Sequence, residues 1–206
     1  MKKLLVTVDI ALFTIRDRQL HLLLIRRLAK PFPNRYAVPG GFVQEQESLD
    51  AAATRELREE TGVENVYLEQ LYTFGDPKRD PRGRVITVAY YALVPHTQVL
   101  RAGIDASDAA WYPVTELPAL AFDHRKIVKY AHQRIRNKLD YAKVGFELLP
   151  NKFTLTELQF VHEAILGENL DKRNFRRKIN RKGIVKPTKE WQHTRPKPSQ
   201  LYRFSQ

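Results

Sequence analysis

The 206-residue chain contains no cysteine. Disulfides, thiolate zinc sites, iron–sulfur clusters and a cysteine nucleophile are therefore excluded, and the composition fits a reducing compartment. No apolar run approaches the roughly 18 residues that a membrane span needs. The opening Met1-Lys2-Lys3-Leu4-Leu5-Val6 faintly imitates a signal peptide. However, Asp9 interrupts the apolar stretch, Arg16 and Arg18 follow, and no small-residue cleavage site appears. The segment is expected to be the first strand of a cytoplasmic protein with no membrane partner. Internal repeats and low-complexity tracts are also missing. Hydrophobic residues make up 43% and charged residues 28%, enough apolar material for a sizeable core in one or two domains.

Positive charge is present in excess and unevenly. The net charge is +12, of which residues 1–143 carry +5 and the much shorter segment 144–206 carries +7. Between Lys172 and Lys189 there are nine basic residues among 18 and no acid. Such asymmetry points to a polyanionic partner for the C-terminal part, with a solvated basic face as the alternative.

Residues 4–14, 20–28, 66–72 and 85–94 are strand-like, with a short strand at Phe42-Val43 and a last one at Trp111–Val114. A helix is expected from Ser48, as N-cap, to Glu60, with Gly62 as its stop. A second, capped by Asp123, carries Ile127, Ala131, Ile135 and Leu139 on one stripe. Beyond it, Thr154 and Glu157 fit a capping box ahead of Leu158, Val161 and Ile165. Asp171 is placed to cap a short basic helix in which Phe175 and Ile179 share a face. Gly183–Val185 and Leu201–Phe204 then form a hairpin. Helix, turn, basic helix and hairpin outline a winged helix-turn-helix. The expected domains are 1–145 and 146–206.

The most informative stretch runs from Gly41 to Val63. On a helix, Glu56, Glu59 and Glu60 lie at i, i+3 and i+4, so their carboxylates project from one face. Clustered carboxylates are stable chiefly around a divalent cation, and oxygen ligands suit Mg²⁺ or Mn²⁺. Arg55 is placed to orient the Glu56 carboxylate. The spacing matches the Nudix signature, Gly-x5-Glu-x7-Arg-Glu-U-x-Glu-Glu-x-Gly-U, at every specified position. A chance match is on the order of 10⁻⁷ from average residue usage. The resemblance implies an α+β Nudix fold, a mixed sheet between helices, and cleavage of a nucleoside diphosphate linked to another group. It also implies roles: Glu56, Glu59 and Glu60 hold metal, Glu47 assists, and Arg55 is structural.

The loop Phe74–Val85 resembles that of ADP-ribose-directed Nudix domains, with Arg82 and Arg84 as candidates for a pyrophosphate and Phe74 for a ring. A solvated basic loop is the alternative. Ala121-Phe122-Asp123-His124 is similar to the same subgroup, and His124 is expected to be structural. Asp105, Asp108 and Glu116 are candidates for an acid recruited from outside the signature. The whole arrangement, including Leu170–Lys178 and Pro198–Phe204, resembles the Nudix-related transcriptional regulators (NrtR). That resemblance implies a homodimer that senses ADP-ribose or a related nucleotide sugar and represses genes of NAD metabolism at a palindromic operator. Tyr36 and Gln46 depart from the expected Trp and Gly. The complete signature keeps open an ADP-ribose pyrophosphatase, or a protein doing both jobs. For DNA, Arg173 and Asn174 are the expected base readers. Lys172 shares their outer surface, and Arg176, Arg177 and Lys178, with Lys189 and Arg195 on the wing, are expected mostly to meet phosphates.

Overall fold

The computed structural model of the chain describes residues 4–95, 106–139, 148–192 and 197–205, with the side chains of 106–108 left aside. Two compact units are present, Met1–Thr14 with His21–Arg134, and Ile15–Leu20 with Ile135–Gln206. The expected boundary at 145/146 lies outside the described residues.

The first unit is built on strand β1 (Leu5–Arg16). Residues 7–14 of this strand are buried without alternation, so both faces of its sheet are covered. It pairs in parallel with β6 (Val85–Leu93), from Leu5↔Val85 to Phe13↔Leu93. Around this pair stand β2 (Gln19–Arg27), β3 (Tyr36–Ala37), β4 (Gly40–Phe42), β5 (Glu69–Phe74) and β7 (Ala106–Pro113). The strand order is β3-β2-β1-β6-β5, with β4 beside β1 and β7 beside β2. The sheet is therefore mixed. Strand β5 begins at Glu69, where pairing with β6 starts opposite Tyr91, and not at Val66 as the sequence pattern suggests. Val66 and Leu68 instead pack against the core before the strand begins.

Helix α1 (Leu49–Thr61) starts where Ser48 Oγ accepts the Ala51 N–H. It ends at Gly62, whose φ of 70° places it in the left-handed region. Ala52, Ala53 and Leu57 bury against Val8, Ile10, Val88 and Tyr90. Helix α2 (His124–Lys138) buries Ile127, Ala131 and Ile135 completely, as the spacing by four requires.

The second unit holds β8 (Phe153–Thr154), α3 (Leu155–Leu166), α4 (Lys172–Lys182), β9 (Val185–Gln192) and β10 (Ser199–Phe204). The strands form a sheet in the order β8-β10-β9. Thr154 and Glu157 form the capping box at the start of α3, and Gly167 ends it at φ 72°. Asp171 caps α4, accepting from Asn174 N at 2.8 Å. Phe175 and Ile179 from α4 join Phe153, Leu158 and Val185 in one small core.

Two stability changes test this packing. Thr154→Ala should cost about 1 kcal/mol by removing a helix cap. Leu158→Ala should cost about 2–5 kcal/mol by opening a cavity in a core with no spare apolar layer. Urea unfolding followed by circular dichroism checks both, the second-unit transition being the one that moves.

Candidate functional site

Two clusters of charge in the first unit converge on a cavity of about 450 Å³. The first is organised by Arg55 on α1. A guanidinium carries five N–H donors in a fixed fork, and here all five are engaged. Nε and Nη2 donate to Glu47 Oε2 and Oε1 at 3.0 and 2.6 Å. Nη1 donates to Glu56 Oε1 at 2.7 Å and Glu59 Oε2 at 3.1 Å, and Nη2 also donates to the Phe42 carbonyl at 3.1 Å. The Arg55 hydrogen bonds, followed by that from the Gln44 N–H, hold Glu47 down to about 2.

The carboxylates of α1 then diverge in environment. Burial raises the Glu56 pKa, against the opposing hydrogen bond from Arg55. Burial pushes Glu60 up to about 8, although Gly40 N–H donates to its Oε2 at 2.8 Å. Glu59 is half exposed and faces Arg55. The signature glycine has a direct reason for its identity. A Cβ on Gly41 would overlap the Glu56 carboxylate, so any side chain there would force that carboxylate off its bond with Arg55.

The second cluster is centred on Arg79, whose side chain is 3% exposed. It donates to Asp9 Oδ2 at 3.2 Å and to both oxygens of Asp123 at 2.8 and 3.1 Å. The Asp123 side chain thus serves Arg79, while its carbonyl accepts the Lys126 N–H at 2.8 Å at the start of α2, the position expected from the sequence. His124 Nδ1 accepts the Val38 N–H at 3.1 Å, which places its proton on Nε2, 3.5 Å from Asp9 Oδ1. Burial lowers its pKa, so this histidine is neutral and structural.

The cavity wall continues with Asp80, held below its usual range by Arg82 in spite of burial. Arg82 Nε and Nη2 grip its two oxygens at 3.0 and 2.7 Å. The Arg82 guanidinium lies 4.8 Å from the Phe42 ring and 5.4 Å from that of Phe122, and Arg27 lies 4.9 Å from Phe122. Thr7 also lines the cavity, and its buried Oγ1 has no hydrogen-bond partner among the described residues.

Of the residues expected from sequence, Arg55, Glu56, Glu60 and Arg82 line this cavity, and Glu47 is joined to it through Arg55. Glu59, Phe74 and Arg84 do not. Phe74 packs in an aromatic group with Tyr72 and Tyr130, at 5.3 and 6.0 Å. Arg84 donates to the Gly75 carbonyl at 2.6 Å. The loop between β5 and β6 turns so that Arg79, Asp80 and Arg82 meet the cavity. Glu116 is exposed in a 3₁₀ turn away from it, and Asp105 and the side chain of Asp108 lie outside the described residues. Sequence reasoning gave no role to Asp9, Arg27, Arg79, Asp80 and Phe122. Asp9 carried a signal, a carboxylate inside an otherwise apolar strand; Arg79, Asp80 and Phe122 lay inside the two stretches singled out at 74–85 and 121–124, and Arg27 carried none.

Glu56 and Glu60 suit a hard divalent cation. Both are cavity-wall carboxylates whose ionised forms are penalised by burial, and Glu56 further raises Glu60 by like charge. Glu59, one turn along the same helix, is half exposed and does not line the cavity. Among the described residues no group of three or more His, Asp or Glu converges as a ready-made metal cage.

In the second unit, Lys172, Arg173, Arg176, Arg177 and Lys178 on α4 and Lys189 on β9 are exposed, while Phe175 and Ile179 are buried. Asn174 accepts from Arg177 Nη2 at 2.9 Å. Arg195 lies outside the described residues.

These features have counterparts in known proteins. Residues 5–131 match the NUDIX domain, and residues 145–204 match the NrtR DNA-binding winged helix domain. The chain belongs to the Nudix family, in the branch that carries the NrtR winged helix. It is 40% identical over 205 residues to a protein of Acinetobacter baylyi called ADPR responsive transcriptional repressor NtrR, covering 98% of this chain and 82% of the relative. The crystal structure of Shewanella oneidensis NrtR complexed with a 27mer DNA has a similar fold. The TM-score is 0.80 and the identity 38%, with 97% of this chain and 93% of the other covered. The NUDIX domain of that same Shewanella protein, complexed with ADP ribose, matches with TM-score 0.61 and 42% identity. That match covers 66% of this chain and 90% of the other.

The raised Glu60 pKa gives a pH signature. Between the ordinary value of 4.5 and about 8, the folded state holds a proton that the unfolded state has lost. Below the ordinary histidine value of 6.5 the buried neutral His124 opposes this, so stability of the chelator-treated protein should fall as pH rises from 6.5 to about 8. Thermal melts should show the fall, and Mg²⁺ should lessen it by binding the ionised form. A melting temperature that climbs steadily through the window in chelator would contradict the assignment.

Proposed function

We propose that this chain is an ADP-ribose-responsive transcriptional repressor, binding ADP-ribose or a related nucleotide sugar in its first unit and operator DNA through its second. The observation that carries the reading is the divided chemistry of the 450 Å³ cavity. Its size lies within the roughly 300–1,000 Å³ of small-molecule sites. Its lining offers the cations Arg27, Lys30 and Arg82 together with the carboxylates Glu56 and Glu60. A pyrophosphate suits the cations directly and the carboxylates through a divalent cation, Mg²⁺ or Mn²⁺. Phe42 and Phe122 provide ring faces for a base, and the unpartnered Thr7 Oγ1 suits a sugar hydroxyl.

In the second unit, the exposed cations of α4 project from a helix anchored by Phe175 and Ile179. The N-terminal residues of such a helix enter the major groove. Arg173 is the base reader in this reading, and Asn174 becomes one by giving up its bond from Arg177. Two copies of the chain present two such helices to a palindromic operator.

A second reading is hydrolysis at the same site, favoured by the pairing of Glu56 and Glu60 on the cavity wall. When bound there, a divalent cation would offset phosphate charge and activate water for attack on phosphorus. Water addition to ADP-ribose would yield AMP and ribose 5-phosphate. Glu56 and Glu60 would hold the cation, and Arg55 would keep Glu56 oriented and ionised.

Calorimetry with ADP-ribose and Mg²⁺ tests the first reading. Wild type should bind, and Arg82→Ala should bind about tenfold more weakly, having lost a charge-assisted contact. No heat with wild type would end the sensing reading. ADP-ribose should shift operator affinity, and operator should shift ADP-ribose affinity by the same factor. On DNA, Arg177→Ala should lower the salt slope by about 1 and weaken all sequences alike, whereas Arg173→Ala should relax specificity at one position. Product analysis by chromatography decides the second reading: AMP release from wild type, lost in Glu60→Gln, supports it.

A further inference from the structure

The hairpin β9–β10 is not regular. From Val185↔Phe204 to Pro187↔Tyr202 the strands pair in one register, and pairing resumes at Trp191↔Gln200 and Gln192↔Ser199. Thr188, Lys189 and Glu190 thus stand opposite Leu201 alone, forming a bulge. The bulge is tied down. Thr188 Oγ1 donates to the Leu201 carbonyl at 3.0 Å and accepts the Glu190 N–H at 3.1 Å. Gln200 Nε2 donates to the Thr188 carbonyl at 2.6 Å, and Lys152 pairs with Glu190 at 2.5 Å. Bulges of this kind bend a strand and re-aim the side chain that follows.

The residue that follows is Trp191, whose surface is 51% exposed. A large indole held in water on a fixed strand is costly to leave uncovered. Its neighbours indicate the cover. Lys186 and Lys189 are exposed on the same strand, and Glu190, the nearby acid, is offset by Lys152. This surface suits an anion with an apolar wall.

We propose that Trp191 is a minor-groove contact, its ring lying against the deoxyribose wall while Lys186 and Lys189 meet the flanking phosphates. The proposal rests on the DNA-binding reading given above and adds to it a residue and a base preference. With α4 in the major groove, the hairpin is left for the narrower groove, about 6 Å wide, which excludes a helix but admits a ring carried on a strand. The indole N–H is a donor only. In the minor groove, A·T pairs present acceptors only, whereas G·C pairs add the guanine amino donor. Trp191 therefore favours A·T beneath the wing.

The experiment uses the full chain and a duplex recovered by selection from random sequence. The chain has two tryptophans, so a Trp111→Phe background isolates the Trp191 signal. Indole emission should change on binding, and Trp191→Ala should bind about tenfold more weakly. Trp191→Phe should fall between, keeping the ring but not the donor. Replacing flanking A·T pairs by G·C should weaken the protein with Trp191. Inosine·cytosine pairs, which lack the minor-groove amino group, should restore it, and Trp191→Ala should ignore both changes. Equal binding by Trp191→Ala, with unchanged emission in the parent, overturns the proposal and leaves the DNA reading standing. A uniform loss without base discrimination overturns the groove assignment. If wild type selects no duplex at all, the DNA reading fails and takes the proposal with it.

Discussion

The first unit depends on one buried cation. Arg79 belongs to a loop with no regular structure of its own, yet its guanidinium is as hidden as a core leucine. It touches Asp9 from the middle of β1 and Asp123 from the residue preceding α2. Three segments far apart in the chain are thereby fixed around the cavity. A guanidinium in that position would be intolerable unpaired, and removing one carboxylate of such a group typically costs about 3–5 kcal/mol. The loop's conformation is thus dictated by charge where apolar packing is thin. The same contact sets where Asp80 and Arg82, its neighbours in sequence, meet the ligand space.

This dependence explains what could be read from the sequence and what could not. The α1 carboxylates and Arg55 lie within a few residues of one another, so helical spacing alone shows that they share a turn. The same holds for Phe175 and Ile179 in α4, and for the Thr154–Glu157 box, where one turn of geometry is the whole argument. The Arg79 group is different. Its partners stand 70 and 44 residues away, and only the folded sheet brings them together. Phe74 and Arg84 stand off the cavity for a related reason. Their loop was legible as basic and aromatic, but which side chains turn inward depends on Asp9 and Asp123. Glu59 shows a subtler limit, since helix spacing gives the face of a side chain but not the partner that claims it.

The two units illustrate two uses of the same charged residue. In the first, Arg55, Arg79 and Arg82 are bound to carboxylates and give shape. In the second, the arginines of α4 stand in solvent over a small apolar core, and Arg177 donates to Asn174 on its own helix. Fixed guanidinium forks suit recognition of a compact ligand. Long exposed side chains suit a polyanion whose phosphates need be met only approximately.

The saturation of Arg55 carries a consequence for how such proteins diverge. Every donor of its fork is engaged, with Glu47, Glu56, Glu59 and the Phe42 carbonyl. The acidic cluster therefore contains its own counter-ion and holds together without help from solution. Divergence that keeps Arg55 and its acids therefore keeps the architecture of the pocket, whether or not the chemistry is kept with it.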